Sequence, residues 1–144
     1  MTTEDYVSYP IALALKKAGF DEPCDHYYCA FDDETDVRFW SIHPAQSQNG
    51  LRLPKDTVVA DTPTLAQAQK WLREEWGIHI NVCIYSDYST DADGKVCDRW
   101  YFWGFDLYAI GNAKKIAGGD DEYDSYEQAL SAGIAAALEL IETK

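Results

Sequence analysis

The chain has 144 residues, of which 25 are acidic and 12 are basic, so its formal net charge is −13. Its 47% hydrophobic and 14% aromatic content is too high for a disordered protein, and its length suffices for one hydrophobic core. The acids cluster at 21–36, 87–98 and 120–127 while the basic residues form no patch, which disfavours direct binding to DNA or RNA.

Membrane insertion is also disfavoured, because no apolar run approaches the roughly 18 residues that a spanning helix needs. The first ten residues, MTTEDYVSYP, carry acids where a signal peptide carries basic residues, so we expect a cytoplasmic protein. Its four cysteines would then be reduced thiols. No linker-like stretch divides the chain, and we predict a single domain over 1–144.

The first predicted helix is Tyr9–Ala18, with Ser8 as N-cap, Gly19 as the residue that ends it and Phe20 folding back onto its last turn. Two aromatic and β-branched runs follow, His26–Phe31 and 37–42, and the DDETD between them predicts a hairpin. Residues 43–61 lack periodicity, but a structureless loop of that length is uncommon, so we expect a short strand within 57–60.

A second helix begins near residue 62, with either Thr62 or Thr64 as its N-cap, and ends at Gly77. Its core-facing stripe is predicted from spacings of three and four: Leu65, Ala68, Leu72, Trp76. Strand periodicity starts directly after Gly77, with an aliphatic face turned inward and polar residues alternating with it: Ile78, Ile80, Val82, Ile84.

A turn-rich loop leads to a second strand over 96–108, both faces of which are apolar, so a second layer or a partner must cover it. The last predicted helix has a capping box formed by Ser125 and Gln128, and small residues at 132, 133, 135 and 136 that permit close approach to a sheet. The predicted fold is α+β: an antiparallel sheet of two hairpins packed against about three helices, in the order α-ββ-α-ββ-α.

Metal-site motifs are incomplete in this sequence. Cys24, His26 and Cys29 form C-x-H-x-x-C, which needs a fourth ligand to hold zinc, from Cys83, Cys97 or His43, and the spacing matches no known knuckle. We interpret these residues as reduced thiols and a surface histidine. The DADG segment resembles part of a calcium loop, but Trp100 stands where the final carboxylate belongs, so we interpret it as an acidic hairpin turn.

Catalytic motifs are missing as well, since the chain has no G-x-S-x-G, P-loop or G-x-G-x-x-G. His79 and Cys83 share a strand face but are separated by about 13 Å of strand, too far for an activated thiolate pair. We therefore expect no cofactor, no metal and no catalytic residue, and we lean against an enzyme.

The most suggestive surface lies on the two central strands. Tyr85, Tyr101 and Trp103, with His79, are predicted to stack across the hairpin as an aromatic ladder. Such a ladder is either packed beneath another layer or exposed as an interaction surface.

Three blocks of the chain resemble small uncharacterised proteins of phages and integrated mobile elements of gut bacteria: YVSYPIALALKKAGFDEPCDHYY, PTLAQAQKWLREEWGIHI, YDSYEQALSAGIAAALELI. The most specific part is PTLAQAQKWLRE followed by GIHI. This resemblance implies a genetic context and an architecture, and it carries no activity, ligand or site residue.

The function that these observations favour is a non-catalytic accessory protein that binds another protein. One alternative is an acidic mimic of nucleic acid that occupies the basic groove of a host DNA-binding or defence enzyme. Another is a small enzyme of unknown reaction. A homodimer is a further expectation, because the second strand is apolar on both faces.

Overall fold

The computed structural model describes residues 5–31, 33–40, 58–118 and 121–142. These residues form three helices and two antiparallel three-stranded sheets, which confirms the α+β class and the predicted order, with one further strand after each hairpin. The elements are α1 (Tyr9–Ala18), β1 (His26–Phe31), β2 (Asp33–Trp40), β3 (Val58–Thr62), α2 (Leu65–Trp76), β4 (Ile78–Thr90), β5 (Val96–Ala109), β6 (Lys114–Gly118) and α3 (Tyr126–Glu142).

Contacts between Cα atoms divide the chain into two compact units. The first consists of Met1–Trp71 with Leu138–Lys144, and the second is Leu72–Ala137. The helices α2 and α3 each contribute residues to both units. The single domain over 1–144 stays a prediction.

The sheet of the first unit has the strand order β2-β1-β3, and both pairings are antiparallel. The predicted hairpin is present, but β2 begins at Asp33, inside the segment predicted as its turn. The short strand expected near 57–60 is β3 (Val58–Thr62). The rest of the predicted loop, 43–57, and the end of the predicted second strand, 41–42, lie outside the described residues.

Helix α1 has the predicted bounds, and its end shows why. Gly19 adopts a left-handed conformation with φ 102°, and the N–H of Phe20 donates to the Leu15 carbonyl at 2.9 Å. Phe20 is thereby folded back and buried, with its ring 5.4 Å from that of Trp71 in an edge-to-face pair. Ser8 occupies the N-cap position, but its side chain makes no capping hydrogen bond.

Helix α2 is capped by Thr64, because the N–H of Gln67 donates to its Oγ1 at 3.1 Å. Of the two predicted N-caps, Thr64 is therefore the correct one. Its buried stripe differs from the prediction at the carboxyl end: Trp71 is buried, whereas Trp76 is 40% exposed. Residue 71 continues the spacing of three from Leu65 and Ala68. Trp76 keeps the spacing of four from Leu72, but it is the last helical residue and lies at the exposed end of the helix.

The sheet of the second unit has the order β4-β5-β6 and is dominated by the long β4–β5 hairpin. Helix α3 covers one face of it, which we call the helix-side face. There a Cβ added to Gly133 would lie 2.7 Å from Cγ2 of Ile80 and 3.3 Å from Cγ of Phe105. The small residues of α3 thus permit the close approach that the sequence predicts, over a core that includes Leu107 and Ile134.

The amino terminus of α3 is capped by Ser125, whose Oγ accepts a hydrogen bond from the N–H of Gln128 at 3.1 Å. The Gln128 side chain accepts from the N–H of Asp124 instead of from Ser125, so the reciprocal half of the predicted capping box is displaced by one residue. This arrangement holds the segment before α3 against the helix.

Candidate interaction surface

The β4–β5 hairpin extends well beyond the part of the sheet that α3 covers. Residues 84–90 pair with 96–103 in a two-stranded ribbon, which we call the arm. Its tip is closed by Asp91, whose Oδ1 accepts hydrogen bonds from the N–H groups of Asp93 and Lys95 at 2.9 and 3.0 Å. The acidic turn predicted in place of a calcium loop is therefore present, and the Asp91 carboxylate is used by the backbone.

The helix-side face of the arm is rich in exposed apolar surface. Tyr101 is 68% exposed, Ile84 59% and Tyr88 55%. The register places Ile84 opposite Trp103, and Tyr88 opposite Arg99, whose guanidinium lies 5.8 Å from the centre of the Tyr88 ring. This face is the direct continuation of the face that buries Ile80 and Phe105 at the base of the hairpin.

The aromatic ladder predicted for this surface is split between the two faces of the ribbon. Tyr101 and Trp103 lie on the helix-side face, but Tyr85 pairs with Phe102 and therefore lies on the opposite face, with His79. The Tyr85 ring stacks on that of Phe102 at 5.8 Å and crosses Gly104, where an added Cβ would lie 2.8 Å from it. The prediction that Tyr85 and His79 stack with Tyr101 and Trp103 is wrong. The register pairs Ile84 with Trp103, and Tyr85, as the next residue, lies on the other face.

An open pocket lies where the arm meets the segment before α3. Its volume is about 180 Å³, and it is lined by Ile84, Tyr101, Phe102, Trp103, Tyr123 and Asp124. Tyr123 is held there by a two-hydrogen-bond bridge to Trp103, each N–H donating to the other residue's carbonyl at 3.0 Å. Trp103 also makes an edge-to-face contact with Tyr126 at 5.6 Å.

The rim of this pocket is acidic. Glu122 accepts a hydrogen bond from the indole N–H of Trp100 at 3.3 Å. Burial raises the pKa of Tyr123, and the charge of Asp121 and a hydrogen bond to that residue add smaller contributions in the same direction. Asp124 is exposed, and among the described residues no lysine or arginine forms an ion pair with it.

Sequence reasoning found Tyr101 and Trp103 but missed Tyr123 and Asp124 as their neighbours. These two residues belong to the acid cluster at 120–127, which composition alone identifies only as exposed. β4 runs for 13 residues to Thr90, beyond the positions whose aliphatic side chains are buried, and the exposure of its end depends on tertiary packing, which the sequence does not signal.

The opposite face of the sheet carries a polar cluster that links its three strands. The hydroxyl of Tyr85 donates to Oδ2 of Asp106 at 2.6 Å, and Nζ of Lys115 lies 3.1 Å from Oδ1 of the same carboxylate. The Tyr85 hydrogen bond, with a further contribution from Lys115, lowers the pKa of Asp106, and the same hydrogen bond raises the pKa of Tyr85. The Tyr85 phenol is held protonated and is therefore a poor nucleophile, and the Asp106 carboxylate is a weak base. The cluster is thus suited to joining strands rather than to catalysis.

We predict that Asp106→Asn lowers the free energy of unfolding at pH 7 by about 1–2 kcal/mol, since the Asp106 side chain is only 16% exposed and accepts from both partners. Because its pKa is lowered on folding, its stabilisation is present above the ordinary value of 3.8 and is lost as the pH falls through the folded value. Urea unfolding of both proteins at pH 7 and pH 3 measures this.

Asp98→Asn is the matched control, because it removes the same charge from an exposed position on the arm. We expect it to leave the free energy of unfolding unchanged at pH 7. A difference between wild type and Asp106→Asn that stays constant down to pH 3 would contradict the assignment.

The C-x-H-x-x-C residues are not arranged as a metal site. The His26 ring contacts those of Tyr6, at 4.3 Å, and Phe39, at 4.8 Å, which also contact each other, so the histidine predicted at the surface is half-buried in an aromatic cluster. Burial, reinforced by nearby carboxylates, raises the pKa of the Cys24 thiol to about 12, and burial raises that of Cys29. Across the described part of the chain no three His, Cys, Asp or Glu side chains form a potential metal cluster; His43 lies outside it.

Comparison with protein families, with curated proteins and with solved structures gives no match to this chain. Among the described helices, none combines the length and the apolar character required to cross a membrane.

Proposed function

We propose that this protein is a non-catalytic accessory protein that binds another protein through the helix-side face of its arm. The observation that carries the proposal is the exposure of Tyr101, Ile84 and Tyr88 on one face of one ribbon. Tyrosine is enriched at the energetic centres of protein interfaces because it offers a large rigid apolar surface with a polar tip. Two tyrosines and an isoleucine on one face supply an anchor for a partner.

A protein partner suits this surface better than the two alternatives. An acidic mimic of nucleic acid requires a stripe of carboxylates at about the phosphate spacing of duplex DNA, roughly one charge per 1.7 Å of axis. On the arm, Asp87 and Asp98 are instead interleaved with Tyr88 and Trp100. An enzyme requires an activated group in a pocket, whereas the pocket beside the arm is lined mainly by aromatic and aliphatic side chains.

The biological setting that we propose is a phage or integrated mobile element, in the cytoplasm of the cell that carries it. Its support is the sequence resemblance of the three blocks described above. Self-association is the simplest competing use of the arm, and light scattering on the purified protein distinguishes a homodimer from a monomer that awaits a partner.

The test is affinity capture with immobilised protein from a native lysate of the source cells. We expect wild type to retain a defined partner and Tyr101→Ala to weaken its binding by about 30-fold or more, the effect of losing a residue at an interface centre. Calorimetry with the purified partner measures the dissociation constants.

Trp76→Ala is the control, since Trp76 is an exposed aromatic residue on α2, away from the arm. We expect it to bind like wild type. Equal binding by Tyr101→Ala and wild type, with both proteins folded by circular dichroism, would remove the arm from the interface.

A further inference from the structure

We propose that the pocket beside the arm binds an arginine side chain from a basic segment of the partner protein. This inference rests on the proposed function and specifies the partner's chemistry. The pocket joins three features that favour a guanidinium: aromatic rings from Tyr101, Trp103 and Tyr123, an adjacent carboxylate from Asp124, and an opening to solvent.

The size of the pocket favours a single side chain. At about 180 Å³ it is smaller than the roughly 300–1,000 Å³ typical of sites for cofactors and drug-sized molecules. Polar and apolar surface contribute about equally to its lining, which suits a side chain that has a methylene stem and a charged head, and its one charged lining residue is Asp124.

The charge of the surroundings favours a cation. Asp121, Glu122 and Asp124 carry three negative charges over four residues, in a chain with a net charge of −13. The amino terminus of α3 opposes them with the equivalent of about half a positive charge, and Arg99 on the same face of the arm adds one more, so the region stays negative. A basic segment is thus attracted to this pocket, and an acidic one is repelled.

The arm already holds one guanidinium against a tyrosine. Arg99 lies over the Tyr88 ring at 5.8 Å, on the same face as Tyr101 and Trp103. This contact within the chain shows that tyrosine rings on this ribbon are accessible to a planar cation. A second arginine, supplied by the partner, would repeat that chemistry in the pocket, with Asp124 as its carboxylate.

The experiment is a titration of the 144-residue protein with the synthetic peptide Ac-GRGRGRG-NH₂, monitored by ¹H–¹⁵N spectra of the indole N–H groups. The matched peptide replaces each arginine by citrulline, which preserves the planar shape of the side chain but removes its charge and exchanges one donor group for a carbonyl acceptor. We expect the Trp103 indole signal to shift with the arginine peptide, at least tenfold tighter binding than the citrulline peptide, and weaker binding at higher salt.

Two substitutions locate the effect. We expect Asp124→Asn and Tyr101→Ala each to weaken binding of the arginine peptide by about two- to fivefold, as is typical of exposed ion pairs and cation–π contacts. Asp98→Asn removes the same charge from the opposite face of the arm and is expected to bind as wild type does.

Equal affinity for the arginine and citrulline peptides would overturn the inference, as would equal weakening by Asp124→Asn and Asp98→Asn. Either result is distinguishable from failure of the proposed function. The binding of a captured partner could depend on Tyr101 but not on the partner's own basic residues. That result would keep the arm as an interface and would exclude arginine as the ligand of the pocket.

Discussion

Ile80→Ala is expected to lower the free energy of unfolding by about 2–5 kcal/mol, the cost of emptying a fully buried aliphatic site. Ile80 is 1% exposed, and its Cγ2 faces Gly133 of α3, so the adjoining helix can fill the space only by moving. Part of the loss, about 1 kcal/mol, reflects the lower strand propensity of alanine. Urea unfolding monitored by circular dichroism measures the total.

Ile84→Ala is an unusually close control. Ile84 is the same residue type on the same strand and the same face, four residues along, yet it is 59% exposed. We expect it to cost only about the 1 kcal/mol of strand propensity. Equal destabilisation by the two substitutions would mean that burial does not change along β4, and the arm described above would not exist.

Gly133→Val is expected to cost about 3 kcal/mol, at the upper end of the range for overpacking. A Cβ alone would lie 2.7 Å from Ile80 and 3.3 Å from Phe105, and valine adds two further methyl groups. Valine gains a few tenths of a kcal/mol in helix propensity over glycine, which is too little to offset this. Thermal and urea unfolding measure the loss.

A double-mutant cycle identifies the contact responsible. Ile80→Ala removes the carbon nearest to the added side chain, so Gly133→Val should cost at least 1 kcal/mol less in that background. An unchanged cost would show that the strain arises elsewhere on α3.

The helices and their ends were predictable from sequence because their signals are local. Gly19 and Gly77 stop α1 and α2, and both adopt positive φ, at 102° and 66°. The choice between Thr62 and Thr64 as the N-cap of α2 was not predictable in this way. Thr62 belongs to β3, where it pairs with His26 of β1, and no local pattern encodes that pairing, so Thr64 makes the capping hydrogen bond.

The candidate site was predictable only in part. Alternation assigns Tyr101 and Trp103 to one face, but the exposure of that face depends on where α3 stops covering the sheet, which is a tertiary property. Tyr85 was assigned to the wrong face because the sequence does not give the register of β4 and β5. Without that register, the residues of the two strands that share a face cannot be identified. The strand β6 was missed because KKIAG is short and lacks alternating polarity.

The closure of the arm's tip has a consequence for recognition. Asp91 satisfies two backbone donors and Gly94 takes the positive φ of 82° that the turn needs, so the loop's conformation is determined by its own residues. A ribbon preorganised in this way forfeits little conformational entropy when a ligand docks. The affinity of the complex would then reflect the contacts at the interface, because the arm would not have to fold on binding.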